Sequence, residues 1–343
     1  MRLELINFEL KTMKNSIYLL AAITLSVFYS CSSDSTNNTE TIPDLSLSNL
    51  ITINANIPQD YYDGLTFTDE NTGYAVSRLG KIVKTTDGGV NWNLLNSNVT
   101  FPLKEIQFVT QNTGFVIGGD NTGSYLLKTT NAGQSWTTIN LNNTANGAPN
   151  GMFFKNENEG FITGNKLFIK TTDGGLTWTS VLANADENFN DVKFRDSNYG
   201  IATVNSSAYY KTIDGGQNWQ SIDLINQNNL SSIYFVSGKT VVKNEGKLIN
   251  LLDNSSITLP NPVNKLLYLN ALKCIGIGQH YENSFFPYGD ILLTNNNWGT
   301  FLQKSYQPSS EAMNFTAVAK MDSHKIMILG NGQLHTMVVK LNY

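Results

Sequence analysis

The chain has 343 residues, 41% of them hydrophobic, and its 27 acidic residues outnumber its 23 Lys and Arg, which gives a net charge of −4. Because no cluster of basic residues offsets this balance, a nucleic-acid-binding surface is excluded. Only two cysteines are present, so a small disulfide-stabilised fold is excluded as well.

The N-terminal thirty residues have the pattern of a secretory signal. Lys14 precedes an apolar run over residues 17–27, and a run this short is typical of a signal core rather than a membrane span. Two glutamates, at positions 4 and 9, suit the start of a signal poorly and favour Met13 as the true start. We therefore predict a signal peptide over residues 1–30.

A cysteine, Cys31, follows the apolar run directly and is itself followed by a Ser/Thr/Asn-rich segment typical of a flexible tether. The small residue before it resembles the lipobox of bacterial lipoproteins, in which the cysteine becomes the first mature residue and carries the lipid. The resemblance predicts lipidation of Cys31, a tether over residues 31–45, and attachment in the bacterial cell envelope, at the outer membrane on its periplasmic or surface face. A plain cleaved signal peptide is the alternative.

One line of sequence recurs four times and indicates the architecture. It runs from Lys through Thr and a Gly-rich turn to Trp, and its copies occupy residues 84–92, 128–136, 170–178 and 211–219. Its tryptophans lie 44, 42 and 41 residues apart, a period typical of propeller blades. An Asp or Asn in each copy can hydrogen-bond the backbone two residues on, and glycine adopts backbone angles that other residues avoid. Each copy therefore predicts a tight hairpin turn.

Each copy follows three apolar segments at similar spacing, which predict three strands before the turn and one after it. The first segment ends in a phenylalanine and the second begins with a glycine; these are Phe67 and Gly73, Phe108 and Gly114, Phe154 and Gly160, and Phe194 and Gly200. We name the strands a, b, c and d in chain order. Four antiparallel strands per repeat are a propeller blade.

Three later units are less regular. The fifth has Asp253 at the position of the box aspartate, and the sixth keeps a degenerate copy over residues 294–301 with Phe301 at the tryptophan position. The seventh has three strands and then the chain ends, whereas residues 49–54 read as a strand without a unit of its own. We predict that this strand completes the seventh blade, since closing the ring removes open sheet edges. The predicted fold is an all-β, seven-bladed propeller over residues 46–343, acting as a monomeric ring.

The recurring line Thr-x-Asp-Gly-Gly-x-x-Trp, seen over residues 85–92, 171–178 and 212–219, resembles the Asp-box, also called the bacterial neuraminidase repeat. Among Asp-box families, the chain is most similar to the photosystem II assembly/stability factor family of propellers. This resemblance implies a seven-bladed binding scaffold whose box turns lie away from the ligand face. Their residues are therefore expected to be structural: Asp87, Trp92, Asn131, Trp136, Asp173, Trp178, Asp214 and Trp219.

The residue inventory argues against most catalysts of this class. Sialidases hold the substrate carboxylate with three arginines, and this chain has only Arg2, Arg78 and Arg195, the first within the predicted signal. The three histidines show no metal-ligand spacing, and we expect neither a metal nor another cofactor. A glycosidase needs only two suitably placed carboxylates, so a minor hydrolase activity stays open.

Two groups of residues are candidates for ligand binding. The sixth b–c loop, residues 278–289, is long and aromatic, and exposed aromatic patches often mark interaction surfaces; burial of its own rings over the channel mouth is the alternative. Its candidate residues are His280, Tyr281, Glu282, Phe285, Phe286 and Tyr288. The second group lies at the starts of strand a, beside Lys104 and Lys265, and comprises Tyr61, Tyr62, Asp63, Arg78, Glu105 and Asp191.

These observations together favour a non-catalytic envelope propeller that binds a protein partner or assists assembly of a complex. A carbohydrate-binding or glycoside-hydrolase-like propeller is the alternative. Cys274 lies in an apolar stretch and is expected to be a buried hydrophobic residue.

Overall fold

The computed structural model describes residues 42–120, 123–141, 149–182, 186–224, 227–259, 263–281, 287–306, 312–332 and 336–343. These residues form seven four-stranded antiparallel sheets, and in six of them the strand order follows the chain. Strands a of neighbouring blades contact each other, for example the first with the second and the third with the fourth. The fold is the predicted seven-bladed propeller, with strand a innermost.

The first four blades carry the regular repeats. Blade 1 comprises Tyr62–Phe67, Gly73–Ser77, Ile82–Thr85 and Asn93–Leu95; blade 2, Leu103–Phe108, Gly114–Asp120, Gly123–Thr129 and Thr137–Asn140; blade 3, Pro149–Phe154, Gly160–Gly164, Leu167–Thr171 and Thr179–Ser180; and blade 4, Phe189–Phe194, Gly200–Val204, Ala208–Thr212 and Gln220–Asp223.

The remaining blades keep the same order of strands. Blade 5 comprises Leu230–Val236, Lys239–Asn244, Lys247–Asn250 and Ser256–Thr258; blade 6, Val263–Tyr268, Cys274–His280, Tyr288–Thr294 and Leu302–Tyr306; and blade 7, Met313–Lys320, Lys325–Gly332 and Thr336–Asn342, with Leu50–Ile53 as strand d. A 3₁₀ turn, Leu47–Asn49, precedes this last strand.

The N-terminal strand closes the ring as predicted. Leu50–Ile53 pairs antiparallel with the last strand of the chain, with Leu50 opposite Leu341 and Ile53 opposite Val338. Leu50 is buried in the apolar cluster between blades 6 and 7, while Ile51 on the next position is half exposed. The alternation is that of an edge strand with one buried face.

The hydrophobic core is divided into clusters between adjacent blades. One cluster joins Tyr74, Val76 and Ile82 of blade 1 to Leu103 and Val116 of blade 2. Full burial of a side chain of this size contributes about 1.5–3 kcal/mol. Because each cluster requires both neighbours, the blades stabilise one another around the ring.

The box turns are held by their own side chains. Thr85 Oγ1 donates to Asp87 Oδ1 at 2.9 Å and accepts from the Gly89 N–H, while Asp87 Oδ1 also accepts from the N–H groups of Val90 and Asn91. The same Thr–Asp bond recurs at Asp173 and Asp214. In blade 2, Asn131 replaces the carboxylate and its Oδ1 accepts from Thr129 Oγ1 and the Ser135 N–H.

The second box glycine is also a contact between blades. Gly89 has φ +91, and a Cβ placed there would lie 2.3 Å from the terminal carbon of Met327 in blade 7. Glycine is therefore required both by the backbone angle and by the close approach.

The box tryptophans fold back onto their own blades. Trp92, Trp136 and Trp178 each contact the phenylalanine that ends strand a of the same blade, in edge-to-face geometry with ring centroids 6.2–6.4 Å apart. Trp219 does the same with Phe194 at 5.7 Å. The pairing of the recurring Phe with the recurring Trp explains why both are repeated.

The sixth box differs from the expected arrangement. Phe301 occupies the tryptophan position in the count, but its side chain is 41% exposed, whereas Trp298 is buried among Leu248, Leu266 and Cys274. Trp298 stands at the second glycine position and has φ +67. In this blade the buried aromatic ring therefore comes three residues early, at the cost of a strained backbone.

Two remaining expectations concern the thiols and the N-terminal region. Cys274 is fully buried in the cluster between blades 5 and 6, and burial raises the pKa of its thiol. Cys31 and the predicted signal lie outside the described residues. Within the described part of the chain, no helix is long and apolar enough to cross a membrane.

Candidate functional site

In every blade, strand a has a β-bulge near its start. The register shifts by one residue in each a–b pair, so that two residues of strand a oppose one of strand b, as in a β-bulge. The extra residues are Asp63, Lys104, Asn150, Asn190, Ser231, Asn264 and Thr316. Bulges commonly redirect side chains at barrel rims and next to functional sites, and here the sevenfold set surrounds the start of the channel.

This end of the ring is called the entry face, and it is formed by the starts of strands a and the b–c connections. The opposite face, called the box face, carries the a–b turns and the Asp-boxes. The box residues Asp87, Asp173 and Asp214 are therefore remote from the entry face, as the family resemblance implied.

A central cavity of about 680 Å³ opens on the entry face. Three of the predicted ligand-binding carboxylates, Asp63, Glu105 and Asp191, line it together, and so do Lys104 and Lys265. Three of the six residues of the second predicted group are thus brought to one place by three different blades.

Two of these carboxylates share one ammonium group. Lys193 donates to Glu105 Oε1 at 2.9 Å and lies 3.5 Å from Asp191 Oδ1. Glu105 Oε2 also accepts from the Met152 N–H, and Asp191 Oδ2 accepts from the Ile233 N–H. We call Glu105, Lys193 and Asp191 the charge brace, because its bonds connect blades 2 to 5.

Burial and mutual charge decide the protonation of the charge brace. Burial is the largest influence on Asp191 and raises the pKa of its carboxyl. Burial acts to lower the pKa of Lys193, but the adjacent charges of Asp191 and Glu105 outweigh it and raise that pKa. Lys193 therefore stays cationic at neutral pH, and its positive charge is neutralised within the brace.

A side lobe of about 360 Å³ extends from the cavity between blades 1 and 2. It is lined by Asp63, Arg78, Lys104 and Lys265 together with two glycines, two prolines and a leucine. Arg78 binds Asp63 through two hydrogen bonds of 2.6 and 3.0 Å. We call this space the basic lobe, since its three cations outnumber its single carboxylate.

The remaining wall of the cavity contains uncharged polar side chains as well as apolar ones. Asn150 Nδ2 donates to the Phe189 carbonyl, and Asn190 Nδ2 donates to the Leu230 carbonyl at 2.7 Å and to Asn205 Oδ1 at 2.6 Å. Within the described residues, no group donates to Asn190 Oδ1. This amide acceptor is therefore open to a ligand in the cavity.

The aromatic pair at the start of blade 1 is divided between surface and core. Tyr61 is 42% exposed and lies beside Arg78, whose guanidinium carbon is 5.8 Å from its ring centroid. Tyr62 is fully buried and its hydroxyl donates to the Pro58 carbonyl. The prediction that Tyr62 contacts a ligand is wrong, because strand alternation turns it into the cluster between blades 7 and 1.

The predicted sixth loop is shorter than expected. His280 pairs with Tyr288 in the sheet, so only residues 281–287 connect the strands. The two rings stack with centroids 5.1 Å apart, and His280 Nδ1 lies 2.5 Å from Asp290 Oδ2, which is fully buried. Tyr281 is 64% exposed. Glu282, Phe285 and Phe286 lie outside the described residues, so the proposed aromatic site stays a prediction.

No candidate metal site is found in the parts of the chain that the structure describes. The carboxylates of the cavity are instead bound to backbone N–H groups, lysine and arginine.

Comparison with known proteins identifies the family. The model of the photosynthesis system II assembly factor YCF48 matches residues 45–153 and 151–229, which together are just over half of the chain.

The chain belongs to the YCF48 family. A solved structure described as YCF48 bound to D1 peptide superposes with a TM-score of 0.67 at 19% identity, covering 88% of this chain and 100% of that chain. YCF48 from Cyanidioschyzon merolae gives a TM-score of 0.66 at 14% identity, covering 85% of this chain and 98% of that chain. At these identities the likeness shows the fold.

An enzyme with the same architecture also matches. The GH74 enzyme of Niastella koreensis superposes with a TM-score of 0.60 at 14% identity, covering 82% of this chain but only 53% of that chain. This YCF48-family chain thus corresponds to about half of that enzyme. No curated protein sequence matches the chain significantly.

Three cavity residues of this YCF48-family chain were missed by sequence reasoning: Lys193, Asn150 and Asn190. The two asparagines occupy the bulge position in their strands. This position directly follows the first buried apolar residue of strand a, so an alignment of the seven strands at that residue would have found them. Lys193 meets Glu105 across 88 residues of chain. The residue pattern within a single strand does not predict that contact, because the contact depends on how different blades are placed around the channel.

Proposed function

We propose that this protein is a non-catalytic binding scaffold that takes an extended segment of a partner protein into the cavity of the entry face. The cavity itself carries the proposal, because it combines a volume suited to several residues with amide, hydroxyl and charged groups from most blades. The solved structure of YCF48 with a D1 peptide supports peptide binding by this family. The proposed role is assembly or maintenance of a complex, carried out by a monomeric ring.

An extended peptide fits a cavity that combines polar and apolar walls. Its backbone offers N–H donors and carbonyl acceptors that need partners when water is displaced. Asn190 Oδ1 is an open acceptor, and Ser231 and Ser232 line the same wall. Of the aromatic residues, only Tyr234 lines the cavity or the basic lobe within the described residues, so the stacking surface expected of a sugar-binding site is limited.

The bonds within the charge brace argue against a hydrolase function. A glycosidase needs one carboxyl free to give a proton and another free to act as base or nucleophile. Glu105 and Asp191 instead share Lys193 and accept backbone N–H groups. Their bonding capacity is largely used within the protein, which is typical of a structural role.

The proposal is tested by blocking the cavity. Ser232→Trp places a large ring in the cavity wall, whereas Ser206→Trp makes the same change on an exposed b–c connection of the same face. A random peptide display library is selected against the wild-type ring, and binding of the enriched peptides is measured by fluorescence anisotropy. We expect Ser232→Trp to abolish binding and Ser206→Trp to leave it unchanged.

The rival outcomes are equally definite. Peptides that bind both tryptophan variants equally would place the site elsewhere. Retention of a polysaccharide from a glycan panel, lost in Ser232→Trp and unaccompanied by any peptide binding, would replace the proposal with carbohydrate binding.

We further propose that Cys31 carries a lipid that attaches the ring to the bacterial envelope. The support is the lipobox-like context and the polar segment between Cys31 and the first described residue. Labelling cells with an alkyne fatty acid is expected to mark the wild-type protein but not Cys31→Ser. Equal labelling of the two proteins would contradict lipidation at this position.

A further inference from the structure

We propose that the basic lobe is a binding site for a carboxylate, and that it receives an acidic group of the peptide held in the central cavity. This inference rests on the proposed function, since the lobe opens from that cavity. Lys104 and Lys265 are the residues that bind the carboxylate, and Arg78 bounds the site. The lobe would thereby fix both the position and the direction of the bound segment.

The first support is the convergence of cations from distant parts of the chain. Arg78 comes from the b–c connection of blade 1, Lys104 from the bulge of blade 2 and Lys265 from the position after the bulge of blade 6. They line one space of about 360 Å³. Lys104 and Lys265 also line the central cavity, so the two spaces share a wall.

The second support is a charge count within the site. Asp63 is the carboxylate of the lobe, and Arg78 holds both of its oxygens. Lys104 donates to the neutral amide oxygen of Asn150 at 2.9 Å, and Lys265 donates to the backbone carbonyl of Asp63. Across the described residues, neither lysine forms an ion pair. The three cations and the single carboxylate that line the lobe therefore give it a formal charge of +2.

The third support is the charge distribution across the entry face. The charge brace contains two carboxylates and one lysine, so its formal charge is −1 and its members already bind each other. An anion entering the cavity is repelled by the charge brace and attracted toward the basic lobe. The face consequently favours one location for a negative group.

The environment of Lys265 agrees with this assignment. Burial lowers the pKa of its ammonium group and outweighs the opposing charges of Asp63 and Glu105. The positive charges of Lys104 and Lys193 act in the same direction as burial. A bound carboxylate would oppose both influences by supplying an opposite charge at close range. Binding is therefore expected to stabilise the cationic form of Lys265.

A carboxylate suits this site because it accepts short charge-assisted hydrogen bonds from two ammonium groups at once. The group has two possible sources in a peptide, an acidic side chain or a free C-terminus. Both offer the same chemistry to the lysines, and the experiment below distinguishes them.

The test uses three dye-labelled hexapeptides that differ only at the end of Gly-Ser-Gly-Ser-Gly-X. The first ends in glutamate with an amidated C-terminus, the second in glutamine with a free C-terminus, and the third in glutamine with an amidated C-terminus. Binding to the wild-type ring is measured by anisotropy at low and high salt. We expect one of the two carboxylate peptides to bind at least about tenfold more tightly than the neutral peptide, with the advantage reduced by salt.

The lysines are then tested with matched variants. Lys104→Met and Lys265→Met remove charge with little loss of volume, while Lys265→Arg keeps the charge. Lys247→Met is the control, because Lys247 is exposed at the start of a strand c on the same face but lies outside both spaces. We expect each cavity methionine variant to weaken the preferred carboxylate peptide about tenfold and the control to leave it unchanged. Thermal unfolding of every variant verifies the fold.

The outcomes separate this inference from the proposed function. Equal binding of all three hexapeptides, or equal loss in Lys247→Met, overturns the carboxylate site. If display-selected peptides still bind in a manner blocked by Ser232→Trp, the peptide-binding function survives that failure. If no peptide binds at all, both proposals fail together. Retention of binding by Lys265→Arg and its loss in Lys265→Met support the charge as the cause.

Discussion

At the scale of single residues, the Asp or Asn at the third position of the box acts as a hydrogen-bond acceptor, and this role does not require a charge. Asp173 Oδ1 accepts from Thr171 Oγ1 and from the Thr177 N–H, and its second oxygen accepts from Thr177 Oγ1. Asn131 keeps the first two bonds in blade 2 and donates its amide to Ser135 Oγ. The amide thus reproduces the hydrogen-bond geometry of the carboxylate.

The carboxylate nevertheless adds a pH dependence that the amide lacks. Hydrogen bonds from the side chain and backbone of Thr177 lower the pKa of Asp173 from 3.8 to about 2. Because the folded-state pKa lies below the ordinary value, this stabilisation is present above about pH 4 and is lost as the pH falls toward 2. Asp173→Asn should remain folded at pH 7 and lose less stability over that acid range than the wild type.

Urea unfolding at pH 7, 4, 3 and 2 checks this expectation. The converse variant, Asn131→Asp, is expected to gain acid sensitivity in the same range. Identical pH profiles for the wild type and both variants would show that these carboxylates titrate alike in the folded and unfolded chains.

The charge brace leads to a second prediction at this scale. Lys193→Met leaves Glu105 and Asp191 facing each other without their shared cation. Removing one partner of a buried ion pair costs about 3–5 kcal/mol, and partial solvent access here reduces the expected cost to about 1–3 kcal/mol. Chemical denaturation at pH 7 measures the loss, which should shrink as the pH is lowered and Asp191, whose pKa burial raises, is protonated. Glu105→Gln should cost less, because its amide can still accept from Lys193.

At the scale of elements, lysine side chains join the box turns of blades 2, 3 and 4 to the preceding blade. Lys84 donates to the Ala132 carbonyl in the next box, and Lys128 donates to the Gly174 carbonyl in the one after it. The pattern changes at the fourth box, where Lys155, the residue after strand a of blade 3, donates to the Gly215 carbonyl. The repeated line therefore stabilises the hairpin and also fixes the spacing between neighbouring blades.

The sixth box gives a prediction about which aromatic ring is structural. Trp298→Ala should destabilise the ring by about 3–5 kcal/mol, the usual cost of removing a buried aromatic. Alanine retains the unfavourable positive φ, so little strain is relieved. Phe301→Ala should cost less than about 1 kcal/mol because that ring is half exposed. Equal losses in urea unfolding would contradict the assignment of Trp298 to the buried position.

Ring closure gives a prediction for the N-terminal strand. Deleting residues 50–53 exposes the edge of the last strand, and unpaired edges template association with other chains. We expect a lower melting temperature and concentration-dependent self-association, measured by thermal scanning and light scattering. Ile51→Lys changes an exposed position of the same strand and should leave both unchanged. A deletion variant that melts like the wild type and stays monomeric would show that closure is dispensable.

At the scale of the whole molecule, the periodic parts of the fold were predictable and the contacts across the ring were not. The spacing of the four tryptophans, the orphan strand at residues 49–54 and the unfinished seventh unit together predicted the blade count and the closure. The burial of Trp298 was not predicted, because its position was counted from the intact boxes, in which glycine occupies that position. The contacts of the charge brace were not predicted, because they join residues of different blades that are distant in sequence.

The first described residues of the chain are fastened to the box face of the ring. Leu45 exchanges two hydrogen bonds with Asn295, and Lys273 binds Asp44 and the Ile42 carbonyl, all on the box face. The ten residues between Cys31 and Ile42 span at most about 35 Å when fully extended. The central cavity opens on the entry face, at the other end of the channel. A ligand in the cavity and the fastening of the first described residues therefore use opposite ends of the ring, and neither blocks the other.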